Sequence, residues 1–248
     1  MSAAGPAQAI GAVVGMELRL ALRRGETLVA TAVLPVIVLV FFSSMSIFPT
    51  GAGRPVDFLL PGSIAFAVIA TSLVSLGITT AYDRSYGVLK RLGGSPLTRV
   101  ELVVAKMIAV VVVEAVQVAL LVATAVVVLG WTAPAGVSVT IIVVAVLLGT
   151  LAFAGLGLLF AGTLRAETVL AVANLLFILS LVLGGVVVPL DHLPGPLATI
   201  ATALPAAALA DALRVGLSDA GDPTGSLVLL GGWGAAAALL AVLTFRWE

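Results

Sequence analysis

The chain has 248 residues, 61% of them hydrophobic and only 10% charged, with a mean hydropathy of +1.27; a soluble domain carries about 25% charge, so a water-soluble core is excluded. Twelve basic residues balance 12 acidic ones, which removes the global field that would point to nucleic acid or an acidic substrate. With no cysteine and the single His192, disulfides, thiolate metal sites, cysteine nucleophiles and histidine clusters are excluded as well.

The first 15 residues hold no Lys or Arg, which argues against a cleaved signal peptide. Ile10, Val13, Val14 and Leu18 then recur at helical spacing with Arg19 and Arg23 on another face. This pattern predicts a helix lying at the cytoplasmic membrane surface, the alternative being a frayed basic tail.

Beyond Glu26 the charges thin out. A bilayer core about 30 Å thick takes roughly 20 apolar residues per helix, and lipid offers no partners to an unpaired backbone, so long charge-free runs read as spanning helices. The run 27–53 predicts a first span over 28–48, closed by Pro49 and Gly51, and 58–82 predicts a second. Only Arg54 and Asp57 interrupt this neutral half. The run 115–164 is 50 residues long and turns at Trp131-Thr-Ala-Pro-Ala-Gly136, so it belongs to two helices. These are a third span over 102–129, which takes in Lys106 and Glu114, and a fourth over 138–162. A fifth covers 168–190 and a sixth 225–245.

The neutral run 192–210 contains Pro194, Gly195, Pro196 and Pro205, too many breakers for a spanning helix. It predicts a short re-entrant or interfacial helical segment on the outer side between spans five and six. The expected fold is thus all-α and polytopic, one transmembrane domain over 1–248 with six spans. No internal repeat is visible, which counts against a duplicated carrier. Ten Lys and Arg fall on the side of the termini and only Arg54 and Arg214 opposite, so the positive-inside rule expects both termini in the cytoplasm of a multi-pass cell-membrane protein.

Three polar features are candidates for function. The loop 83–99 is too long and too charged for a minimal connection; Val88, Leu89 and Leu92 fall on one side of a short helix with Lys90 and Arg91 opposite, ended by Gly93-Gly94 and Ser95-Pro96. It reads as a docking element, or as a basic connector that only fixes orientation. Glu114 and Gln117 share a face of the third span, with Thr124 further along; an ionisable group in hydrocarbon must pair or face water, so this stripe is a translocation path, a dimer interface, or structural bonding between helices. Lys106, nearer the boundary, is expected to snorkel to the cytoplasm. Asp211 and Arg214, three apart, could pair on one short helix.

Asp83-Arg84…Gly87-Val-Leu-Lys-Arg-Leu92, then Ser95-Pro96-Leu97…Glu101…Lys106, resembles the loop and third-span entry of ABC-2 type exporter permeases. Leu193-Pro-Gly-Pro-Leu197 followed by Leu204-Pro205 and Asp211-Ala-Leu-Arg214 is similar to that family's extracellular segment before its last span, and Thr163-Leu-Arg-Ala-Glu-Thr168…Ala173-Asn174 to its link into the fifth. The resemblance implies a transmembrane subunit that pairs with a separate cytoplasmic ATPase, as two permeases with two ATPases. It makes Asp83, Arg84, Gly87, Leu89, Lys90, Arg91 and Leu92 the coupling segment seated in the ATPase, flanked by the helix over 10–24. It implies an exported drug, lipid or glycan, with the short outer loops closest to the daunorubicin-exporter branch and its multidrug efflux and antibiotic resistance. No cofactor is expected on this chain itself: ATP and Mg would sit on the partner.

The residues agree that energy comes from elsewhere, since neither Lys90 nor Lys106 follows a glycine-rich phosphate loop. The competing reading is an ion- or proton-coupled secondary transporter, for which Glu114 is the only clear mid-span ionisable group. An intramembrane enzyme would need a metal cluster, a Ser-His pair or an aspartate dyad within the spans, and the sequence supplies none.

Overall fold

The structure is a computed structural model, in which residues 5–23, 25–45, 54–94, 97–186, 190, 193–218 and 221–244 are described. Among them every regular element is a helix. In chain order these are α1 (Pro6–Arg23), α2 (Gly25–Ser44), α3 (Pro55–Ser85), α4 (Val88–Gly93), α5 (Arg99–Val127), α6 (Val139–Thr163), α7 (Ala166–Leu183), α8 (Gly195–Thr202), α9 (Pro205–Leu217) and α10 (Thr224–Thr244).

Five of them, α3, α5, α6, α7 and α10, are long and apolar enough to cross a membrane, and a sixth crossing arises if α8 and α9, bent by 78° at Ala203-Leu204, count together. The 20-residue α2 also has the length of a span, as about 1.5 Å of rise per residue brings it to the thickness of the hydrocarbon core. Expected ends near 46–50 and 187–189, the loop end Ser95-Pro96, and His192 lie outside the described residues. Boundaries shift by a few residues, α3 for one running over Pro55–Ser85 rather than 58–82. The third span stops at Val127 rather than 129, and the fifth at Leu183 rather than 190, because Gly184 caps it and Gly185 turns at φ 63°. The segment expected over 192–210 is longer than its prolines suggested. Pro205 begins a new helix that runs to Leu217, and most of that helix is buried.

The bundle is held by close approach. Lipid supplies no hydrophobic drive between helices, so interfaces rely on small residues that let backbones meet. On α6, a Cβ at Gly155 would come within 2.8 Å of Ala237 on α10, and one added at Gly77 of α3 would come within 3.2 Å of the Gly157 backbone. Next to that second contact α3 departs from α geometry in one π-helical stretch, Ala70–Ser75. The Phe66 and Phe177 rings meet edge-to-face at 5.1 Å and fix α7 against α3.

At one end, which we term the loop end, lie α1, α4 and the start of α5. At the far end Arg54 and Asp57 tie two helices together: the Arg54 guanidinium donates to Leu129 O and Gly130 O at 2.8 and 3.1 Å, and Trp131 Nε1 donates to Asp57 Oδ1 at 3.0 Å. The two charges that interrupt the neutral first half are therefore a structural clasp. Asp222, just before α10, accepts from Thr224 Oγ1 at 2.6 Å and Thr224 N at 3.0 Å. These bonds hold its carboxyl below the ordinary carboxylate range.

Candidate functional site

The loop 83–99 folds as expected into a short helix, but its apolar side is already occupied. Gly87, at φ 72°, supplies the left-handed turn that starts α4, a conformation costly for a side chain with a Cβ. Leu89 is 0% exposed and packs with Val13 of α1 and with Leu102 and Ala105 of α5, while Leu92 and Leu97 lean on the same cluster. Leu89, which the sequence pattern set on a docking side, is covered by its own bundle and seats the loop there. The outward side carries Tyr86, Val88, Lys90 and Arg91. Arg84 reaches the other way, donating to Leu164 O at the end of α6, and Thr98 and Glu101 form a reciprocal cap that starts α5.

Above the loop sits an ion cluster. Lys106 Nζ lies 2.6 Å from Glu17 Oε1 of α1 and 3.4 Å from Asp83 Oδ2 at the end of α3. Lys106 is only 2% exposed, so it does not snorkel. Burying an ammonium is expensive unless opposite charge and hydrogen bonds replace its water, and the carboxylates of two other helices do so here. The sequence could not show this, because Glu17 and Asp83 are distant in the chain and meet Lys106 only once α1 folds back along α5.

A cavity of about 90 Å³ rises from this cluster, lined by Glu17 and Lys106 at its base and by Thr79, Ser75 and Thr71 along α3. Thr71, inside the π-helical stretch, donates to Gln117 Oε1 at 3.0 Å. Glu114, one turn away on α5 and fully buried, accepts from Thr150 of α6, whose hydroxyl also lies 2.8 Å from Val146 O. Glu114 Oε1 and Gln117 Nε2 have no partner among the described residues. The polar stripe is thus Glu114 and Gln117 joined by Thr71 and Thr150. Thr124 stands apart, bonding back to Leu120 O at 2.8 Å in its own helix. Thr71 and Thr150 gave no sequence signal, since hydroxyls in apolar runs commonly satisfy their own backbone.

At the far end Asp211 and Arg214 do not make the direct ion pair their spacing allows. Asp211 Oδ2 accepts from Ser226 of α10 at 2.5 Å. Arg214 donates to Gly185 O and stands 4.4 Å over the Phe58 ring. Both line a cavity of about 410 Å³ with Asp222, Ser226 and Thr202. Pro205 sets the first turn of α9, which places these side chains, whereas Pro194 caps the exposed α8 and joins no site. Among the described residues no group of three or more His, Asp or Glu side chains could hold a metal ion.

The family model described as ABC-2 type transporter matches residues 8–217, from α1 to the end of α9. No curated protein matches the chain.

Proposed function

The chain belongs to the ABC-2 type transporter family and is a membrane transporter component, and on that premise we propose that it is the permease subunit of an ATP-driven exporter whose ATPase is a separate cytoplasmic protein. The observation that carries this reading is the seat of α4. A loop that only connected two spans would have no need of a buried leucine, a left-handed glycine start and a capped helix after it. Anchored through Leu89, α4 offers Tyr86, Val88 and Arg91 as an outward patch, and a partner pressing on that patch would push on α1, α3 and α5 together through the Leu89 cluster and Lys106. Two permeases with two ATPases, embedded in membrane lipid, form the working unit, with the loop end and both termini in the cytoplasm. ATP and Mg belong to the partner.

The cavity above Lys106 is the entrance of the path, Thr71, Gln117, Glu114 and Thr150 its polar middle, and the cavity at Asp211 and Arg214 its exit. Hydroxyls and amides among apolar side chains suit an amphipathic cargo such as a drug or lipid rather than a free ion. The second reading, a proton-coupled carrier, is favoured by one observation, the buried Glu114. The test is ATP-dependent uptake of amphipathic drugs into inverted membrane vesicles. Uptake that requires ATP and persists without a proton gradient supports the exporter; uptake driven by the gradient alone supports the carrier.

A further inference from the structure

We infer that the far-end cavity, between α9 and the start of α10, binds the zwitterionic headgroup of a phospholipid that carries a primary ammonium, with the phosphate on Arg214 and the ammonium on Asp211 and Asp222. The cavity measures about 410 Å³, within the range of small-ligand sites.

Two opposite charges are held apart there. Asp211 and Arg214 are three residues apart on α9, the spacing at which opposite charges meet on a helix, yet each turns to a different partner and both line the same cavity. Ser226 donates to Asp211 Oδ2 at 2.5 Å, which occupies one of the two carboxylate oxygens. Arg214 gives one of its five N–H donors to Gly185 O, lies over the Phe58 ring, and keeps Nε buried with no partner among the described residues. Gly185 and Phe58 set the guanidinium in place without using up its donors. A partly buried cation left this short of bonds is costly unless a ligand completes them.

The second carboxylate is fixed from two directions. Before it, Gly221 turns at φ 113°, and a Cβ there would come within 2.9 Å of Val215 on α9, so the chain presses on α9 at a point that only glycine fits. After it, Thr224 N and Oγ1 both donate to Asp222 Oδ1, and Oδ2 stays outside that cap.

Opposite charges kept apart around one cavity are the complement of a zwitterion. A phosphate accepts from a guanidinium, and a primary ammonium donates to carboxylates. Two carboxylates against one guanidinium leave the site with an excess of negative charge, so a purely anionic headgroup is repelled. The rest of the wall, Leu190, Ala207, Ala208 and Leu229, is apolar and suits a lipid better than a zwitterion free in water. On the reading above, which makes this cavity the outward exit, and on which the proposal rests for its side of the membrane, the headgroup belongs to the outer leaflet.

Titration of the purified full chain in detergent with phosphatidylethanolamine or phosphatidylglycerol, with bound lipid read by native mass spectrometry, tests the site. Phosphatidylethanolamine is expected to bind the more tightly, by about tenfold. Asp222→Asn keeps an oxygen that accepts from Thr224 and so leaves α10 capped. It is expected to weaken phosphatidylethanolamine about three- to tenfold, the worth of one charge-assisted bond at a wet rim, and to leave phosphatidylglycerol no weaker. Arg214→Gln should weaken both lipids. Equal binding of the two lipids by the wild type, or an Asp222→Asn variant that keeps the full preference, would overturn the site. Displacement of the lipid by an equal concentration of soluble phosphoethanolamine would overturn the lipid as its source. Each of these results leaves ATP-dependent drug uptake, and with it the exporter reading, untouched. A chain that binds phosphatidylethanolamine selectively yet shows no such uptake would support the site and overturn the exporter.

Discussion

Lys106 Nζ stands 2.6 Å from Glu17 Oε1, and the residues that carry these atoms belong to α5 and α1. With Asp83 at 3.4 Å on the other side, one cation holds the ends of three helices. Breaking a buried pair by removing one partner costs about 3–5 kcal/mol, because the charge left behind is unpaired; here Glu17 and Asp83 are 20% and 18% exposed, which lowers the expected cost to about 1–3 kcal/mol. Lys106→Met should therefore depress the thermal stability of the purified chain and abolish transport. Glu17→Ala added to Lys106→Met should do little further harm, since the interaction is already gone. Additive losses in that double-mutant cycle would show that the two residues act separately.

Leu89 gives a second test, of where the loop's apolar side points. Its side chain fills a site inside the chain, and truncating a packed leucine costs about 2–5 kcal/mol. Leu89→Ala is expected to lower the stability of the isolated chain in detergent with no partner present. An unchanged melting temperature would return Leu89 to an outer surface.

Glu114 and Thr150 separate the exporter from the carrier. Glu114→Gln keeps a group that can bond to Thr150, so an ATP-driven pump should retain most of its transport, whereas a proton-coupled carrier would lose coupling entirely. Thr150→Val removes the partner of a fully buried group and should destabilise the chain by about 1–3 kcal/mol. Transport by Glu114→Gln in inverted vesicles, measured beside wild type, decides the point.

The all-helical fold was legible because charge-free runs of span length have one physical solution in lipid. The π-helical stretch at Ala70–Ser75 and the extent of α9 were not, since the first packs against α6 and the second against α6 and α10, and neither follows from local sequence. The short helix within the loop 83–99 was legible from its glycines and charges, whereas the division of its sides was not, since periodicity does not say which neighbour covers a residue: Leu89 is covered by α1 and α5, and Val88 stands outside with Arg91. The same limit hid the Lys106 cluster. Glu114 and Gln117 were visible as polar residues in an apolar run, while Thr71 and Thr150 became recognisable only through the partners they meet.

The orientation of the bundle is open to cysteine labelling with a membrane-impermeant maleimide in intact cells. Cys at Ser218, at the far end, is expected to react, and Cys at Ser85 or Thr98, at the loop end, is expected to be protected until the membrane is opened. Labelling at Ser85 from outside would reverse the topology.

The most direct measurement is ATPase co-purification with α4 altered on its outward side alone. Val88 is 39% exposed and Arg91 is also exposed, so Val88→Asp/Arg91→Glu should leave insertion and stability unchanged. The account predicts that the wild-type chain purifies with an ABC ATPase and vanadate-sensitive hydrolysis, and that the double variant loses most of both. A variant that keeps its full complement of ATPase activity, or a wild-type chain that transports with no ATPase bound, would contradict it.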